Sequence, residues 1–283
     1  MTRHLSIEHV TTYVYDAPPL QALQQLRMTP KSRAGQEVAE WAIVLDGGRV
    51  EADFDDAHAN RVQLVSLDPG VSQVRITARG RVAMHRDDGV VGPHGGYMPL
   101  WMFLRDTMLT RPGPGVRRLM REFDPPEERL AMLHALSERI VEAVPYVQGA
   151  TQVGDTAEQV IDAAGGVCMD HAHIFLACAR GLGVPARYVS GYLMMNDRIQ
   201  QEAMHAWAEA HVDGLGWVGF DVSNRHSPDS RYVRVATGLD YGDCAPIHGI
   251  RRGAGREDLS VILAVEQTAL QVQSQGQQQQ QQG

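Results

Sequence analysis

Through residues 1–88 apolar and polar positions alternate with a period of two, the spacing of half-buried strands. From Ser6 to Tyr15 the residues Ile7, His9, Thr11, Tyr13 and Tyr15 share one face, and a break follows at Asp16 to Pro19. Leu23, Leu26 and Met28 then lead to Pro30. Residues 38–45 form the next strand pattern, closed by Asp46-Gly47-Gly48. Residues 62–67 end at Asp68-Pro69-Gly70, and 71–82 alternate again through Val74, Ile76 and Ala78. Short strands divided by turn residues predict a small all-β, sandwich-like domain over 1–88.

The period then changes. Residues 89–115 are rich in Gly and Pro and read as a linker. Within it, Leu100-Trp101-Met102-Phe103-Leu104 is too apolar to stand in solvent, so it is expected to pack across the boundary. Helical spacing begins at 116–123. Asp124-Pro125-Pro126-Glu127 is a helix-start signal, followed by Leu130, Leu133, Leu136, Ile140 and Val144, with Pro145 as the stop. Asp155-Thr156-Ala157-Glu158 predicts a capped helix to Ala164, and a further helix runs from Cys168 to about Leu182. After Gly183-Val184-Pro185 strands return at 186–193, 204–212 and 217–222, the last two joined by an Asp213-Gly214 turn. The expected class is α+β, with a second domain over 116–265 and a disordered Gln-rich tail at 266–283.

Chemistry concentrates in this second domain. Gly165-Gly166-Val167-Cys168 places a thiol at a helix start, where the helix dipole favours the thiolate. The glycines allow a tight turn and leave room for a substrate carbonyl beside backbone N–H donors. His205 heads the first strand of the hairpin and Asp221 lies on the second. A two-residue turn would set Asp221 opposite about residue 206, diagonal to His205 and within hydrogen-bond reach. Thiol, imidazole and carboxylate are the parts of a nucleophilic triad, the His taking the thiol proton and the Asp fixing the His tautomer. A cysteine at a helix start is more often a small buried apolar residue, and Cys178 and Cys244 are read that way. His171 and His173 are read as packing or hydrogen-bonding residues, and Asp170 as an acid favoured by the dipole.

The 283 residues are 43% hydrophobic and 21% charged, enough to bury a sizeable core. The net charge of −8 argues against nucleic acid or a polybasic membrane patch. Three cysteines at these spacings fit neither a disulfide framework nor a zinc site, and no metal or other cofactor is expected. A reducing compartment suits them, and no secretory signal or apolar run of membrane length is visible, so a cytoplasmic protein is expected.

Four blocks carry a resemblance: Gly-Gly-Val-Cys-Met-Asp-His-Ala-His around Cys168, Gly-Val-Pro-Ala-Arg-Tyr-Val-Ser-Gly-Tyr from Gly183, His-Ala-Trp-Ala-Glu from His205, and Gly-Trp-Val-Gly-Phe-Asp-Val-Ser-Asn ending at Asn224. Together these resemble the bacterial transglutaminase-like cysteine protease family, and the segments around His9, Met28 and Asp56 with Asn60 resemble its β-rich N-terminal region. The resemblance implies a papain-like core with Cys168, His205 and Asp221 as catalytic residues. Gly166, Trp207, Tyr146 and His171 are the groove candidates. It departs at Ala59, where Gly is expected, at His171, where an aromatic is usual, and at Val222-Ser223, where Pro-Thr is usual. The expected activity is thiol-dependent hydrolysis of an amide in a peptide or isopeptide-like substrate, through an acyl-enzyme thioester. Transfer of the acyl group to an amine is the alternative, and a non-catalytic peptide-binding module is the third. The sequence gives no oligomeric state.

Overall fold

The computed structural model describes residues 2–86, 88–123 and 128–268. The Asp124–Glu127 helix signal and the tail from 269 onward lie outside the described residues.

Alternation in the N-terminal third becomes six strands: β1 (Arg3–Tyr15), β2 (Gln21–Thr29), β3 (Gln36–Asp46), β4 (Gly48–Asp55), β5 (Arg61–Leu67) and β6 (Gln73–Met84). The predicted face of β1 turns inward, with Leu5, Ile7, His9, Thr11, Tyr13 and Tyr15 all buried. The chain next forms β7 (Val90–Gly92), a 3-10 turn at Leu100–Leu104, and helices α1 (Pro114–Met120), α2 (Arg129–Ala143), α3 (Ala157–Ala163) and α4 (Cys168–Gly181). Thereafter come β8 (Ala186–Leu193), β9 (Gln200–Gln201), β10 (His205–Val212), β11 (Gly216–Phe220), β12 (Tyr232–Gly238), α5 (Tyr241–Cys244), β13 (Ile247–Arg252) and β14 (Glu257–Gln267).

The class is α+β. One sheet has the order β3-β6-β1-β14-β9 and a second β13-β2-β5-β4. Tyr13, Val74 and Ile76 of the first pack with Leu26, Met28 and Val65 of the second, making a sandwich. Residues 247–267, of which the sequence reading put 247–265 in the second domain and 266–267 in the tail, hydrogen-bond here: β13 pairs with β2, and β14 pairs with β1 along its whole length. The sequence reading set no strand beyond residue 222, and a partner more than two hundred residues away leaves no local mark.

The third sheet is antiparallel, β12-β8-β10-β11-β7. Helix α4 packs on one of its faces with Ile174, Phe175 and Leu176 fully buried. On the other face, Tyr192 and Val233 meet Leu5, Ile7 and Leu263 of the N-terminal sheet. Every residue of β8 is therefore buried. The linker is tied in: β7 pairs with β11, and Phe103 packs edge-on against Trp217 at 5.1 Å. Two side-chain amides cover the outer edge of β12. Gln36 exchanges hydrogen bonds with the backbone of Arg234 and Asn60 with that of Thr237, at 2.8–2.9 Å. A bulge between Arg234 and Ala236 shifts the strand's parity, so that both residues face outward. No described helix is long and apolar enough to cross a membrane.

Candidate active site

Cys168 is the first residue of α4, and four hydrogen bonds fix that helix start. Gly166 lies in a bridge to Tyr146, donating to Pro145 O at 3.2 Å and accepting from Val147 N at 2.8 Å. A Cβ on Gly166 would stand 2.9 Å from Asp170 Cβ, so the close approach needs glycine. Asp170, at the third helical position, accepts from Val167 N at 2.8 Å and from Thr151 Oγ1 at 2.6 Å through the same oxygen, Oδ2. This is the backward half of a capping box. Cys168 is partly exposed, whereas Cys178 and Cys244 are fully buried. Burial pushes the Cys178 thiol up to about 12 and that of Cys244 well above its usual range, so both stay protonated.

Strands β10 and β11 bring His205 and Asp221 together, in a register one residue away from the expected one. Val212 pairs with Gly216 and Ala208 with Phe220, so the loop holds three residues, 213–215. Gly214 within it and Gly216, where β11 begins, take left-handed backbone at φ +82° and +81°. A two-residue turn would set Asp221 beside Ala206, on the face away from His205. The longer loop carries it to the face shared by His205 and Trp207. The strand ends at Phe220, and Asp221 opens a tight loop closed by backbone hydrogen bonds with His226.

His205 Nε2 donates to Asp221 Oδ2 at 2.5 Å. The same oxygen accepts from Asn224 Nδ2 and from the Tyr232 hydroxyl, each at 2.7 Å. Burial alone would raise the Asp221 carboxyl, but the His205 charge and these donors outweigh it and hold the group below its ordinary value. For His205 burial likewise opposes the charge. The Cys168 and Asp221 charges, with hydrogen bonds to both, overcome it and raise the imidazole well above 6.5. Since Nε2 is taken by Asp221, Nδ1 is the nitrogen left for Cys168.

The remaining predicted residues separate. Tyr146 is exposed, its ring edge-on to His171 at 6.2 Å, and it does not line the cavity at Cys168. Trp207 does not line the cavity at Cys168. It is buried behind His205, stacked at 6.3 Å, and packed edge-on against Tyr232 at 5.5 Å. His171 is fully buried, its Nε2–H donating to Val144 O at 2.8 Å and its Nδ1 accepting from Ser223 Oγ at 2.7 Å. Burial lowers its pKa, so it is a neutral tie between α4 and the loop after Asp221. The departures at 171 and 223 are thus partners of one another. His173 is buried and neutral, pushed down to about 3 by burial, and accepts from Tyr241 N.

Sequence reasoning missed Tyr232 and Asn224. Asn224 had a local signal, a short amide three residues after an acid, which caps Asp221 at a turn. Tyr232 sits on another strand and had none. The reading also missed the cavity that opens on Cys168 and His205, about 340 Å³ in volume. One wall is the N-terminal sheet: His9, Thr11 and Tyr13 of β1 with Leu259 and Val261 of β14. His9 bonds to Tyr192 OH and Thr11 Oγ1, each at 3.2 Å, and burial lowers it to about 4, so this wall is uncharged at neutral pH. Among the described residues no three His, Cys, Asp or Glu side chains group to hold a metal ion.

Residues 117–222 match the transglutaminase-like superfamily, and residues 5–83 match the bacterial transglutaminase-like N-terminal region. An uncharacterized protein of Mycobacterium leprae (strain TN) is 27% identical over 291 residues, covering 94% of this chain and 99% of its own. An uncharacterized protein of Mycobacterium tuberculosis (strain H37Rv) is 36% identical over 138 residues, 45% of this chain and 44% of that one. A crystal structure from Cytophaga hutchinsonii, titled a "Putative Cysteine Protease", superposes with a TM-score of 0.78 at 20% identity, covering 95% of this chain and 92% of the other. It shares the fold. From β1 to the loop after Asp221, the chain joins a bacterial transglutaminase-like N-terminal region to a transglutaminase-like core.

Proposed function

We propose that this chain is a thiol-dependent amide hydrolase with Cys168 as nucleophile, His205 as acid and base, and Asp221 as the carboxylate that orients His205. One observation carries the reading: the partly exposed thiol shares a cavity with an imidazole whose far nitrogen is held by a buried carboxylate. In the reaction the Cys168 sulfur attacks the amide carbonyl as a thiolate, its proton resting on His205 Nδ1. The first-turn N–H groups of Cys168 and Met169 have no acceptor within α4 and suit the developing oxyanion. Collapse of the tetrahedral intermediate breaks the C–N bond, and His205 protonates the departing amine. Water, deprotonated by His205, then cleaves the thioester to release the acid and restore the thiol. Similarity in fold to the Cytophaga hutchinsonii protein of cysteine-protease title supports this class.

Alkylation with iodoacetamide at neutral pH tests the reading. Cys168 should be labelled at least tenfold faster than Cys178 or Cys244, and Cys168→Ala should abolish hydrolysis of a small activated ester. Equal slow labelling of all three thiols would overturn it. Capture of the acyl group by a labelled amine in preference to water would move the activity to acyl transfer.

A further inference from the structure

Strand β14 is paired along one edge only. It bonds β1 throughout, but its other edge meets β9 at Leu263 and Ala264 alone, extended by Val265 N donating to Ile199 O at 3.2 Å. That bond fixes the parity of the strand: Val265 turns its N–H toward β9, so in a regular strand Leu263, Val261 and Leu259 turn theirs the same way. Beyond β9 no described strand pairs with Leu259 or Val261 on that side. Their side chains stand on the wall of the cavity that holds Cys168 and His205. A strip of backbone donors and acceptors without a strand partner therefore borders the cavity wall, and β9 ends in a bend at Glu202 and Ala203, which line the same cavity.

The geometry points to this edge as the binding site for an extended peptide, which adds as a strand beside Leu259 and Val261, in line with β9, and turns alternate side chains into the cavity. The inference rests on the proposed amide hydrolysis and names its substrate: a polypeptide in β conformation with large uncharged side chains at the positions facing inward. Backbone pairing supplies affinity and the cavity selects side chains. The lining is mostly aromatic and aliphatic, with neutral His9 and Thr11; its one acid is Glu202 at the exposed rim, and its one cation, His205, is already held by Asp221, so a buried acidic side chain finds no free cation there.

The test uses the full chain and internally quenched apolar peptides of three to eight residues, together with a small activated ester. Proline at an edge position whose N–H faces outward is tolerated by the fold. Leu259→Pro should therefore fold and label at Cys168, with any fall in its ester cleavage smaller than its fall on the longer peptides. For the longer peptides its kcat/KM should fall at least tenfold. N-methylation of successive peptide amides should give losses at alternate positions. Equal sensitivity at all positions, or equal kcat/KM for Leu259→Pro and the unmodified chain on the eight-residue peptides, overturns the edge while leaving the thiol chemistry standing. An unmodified protein that neither cleaves the ester nor labels at Cys168 overturns the hydrolase reading, and the edge proposal with it. An equal loss on the ester and on the longer peptides in Leu259→Pro also counts against the edge, and circular dichroism of that variant checks its folding.

Discussion

Asp221 directs one carboxylate oxygen at three donors, His205, Asn224 and Tyr232. That concentration makes the charge tolerable in a buried site and keeps it from protonating. Asp221→Asn replaces an anion by a neutral amide among donors and leaves at least one of them unpaired. The expected outcome is a fall in kcat of roughly 10²–10⁴-fold, as when the carboxylate of a triad is neutralised. The pH dependence has a definite sign. His205 is raised in the folded protein, so the stability its charged form contributes is complete below 6.5 and is lost as pH rises toward the raised value. Without the Asp221 charge that value falls. The alkaline limb of kcat/KM should therefore move to lower pH in Asp221→Asn, and a pH–rate profile of both proteins measures it. The proximity of Cys168, His205 and Asp221 was legible at this scale because each sits in a local sequence context with its own chemistry. The task of Trp207 was not legible, since a period of two assigns it the face of His205 but does not say whether that face meets solvent or Tyr232.

Among the elements, the alternation and the capping signals translated well. Strands β1, β3, β5 and β6 lie where the pattern set them, and α3 opens on Thr156, although the reciprocal partner is Gln159 rather than Glu158. Turns were read less well, because one residue more or less leaves almost no mark on the sequence. The loop at 213–215 is the costly case, as it decides which face carries Asp221. The turn between β4 and β5 has a strained position: Ala59 lies at φ +60°, where the resemblance calls for glycine. An L side chain in that region costs about 1–2 kcal/mol. After the entropy that glycine adds to the unfolded chain, Ala59→Gly should stabilise the fold by about 0.5–1 kcal/mol, read as a higher urea midpoint at unchanged slope.

For the molecule as a whole, the N-terminal sandwich was legible as a class and its attachment was not. Pairing of β14 with β1, and the grip of Gln36 and Asn60 on β12, join residues far apart in the chain, and periodicity is blind to such contacts. Asn60 is buried, and it also binds Asp56, which pairs with Arg27. Asn60→Ala strands the N–H and C=O of Thr237 away from water, at about 1–3 kcal/mol for each unpaired group. Chemical denaturation should show a loss of that order, with labelling of Cys168 retained in the folded fraction. The position of β14 also sets a clock. Translation produces β1, α4 and the hairpin bearing His205 and Asp221 before it produces β14, and chains fold from the N-terminal side as they emerge. A nascent chain that already holds its thiol and imidazole still lacks Leu259 and Val261. The cavity is walled only when the last described strand slides between β1 and β9, so the growing polypeptide leaves the ribosome with its thiol and imidazole beside an unfinished wall.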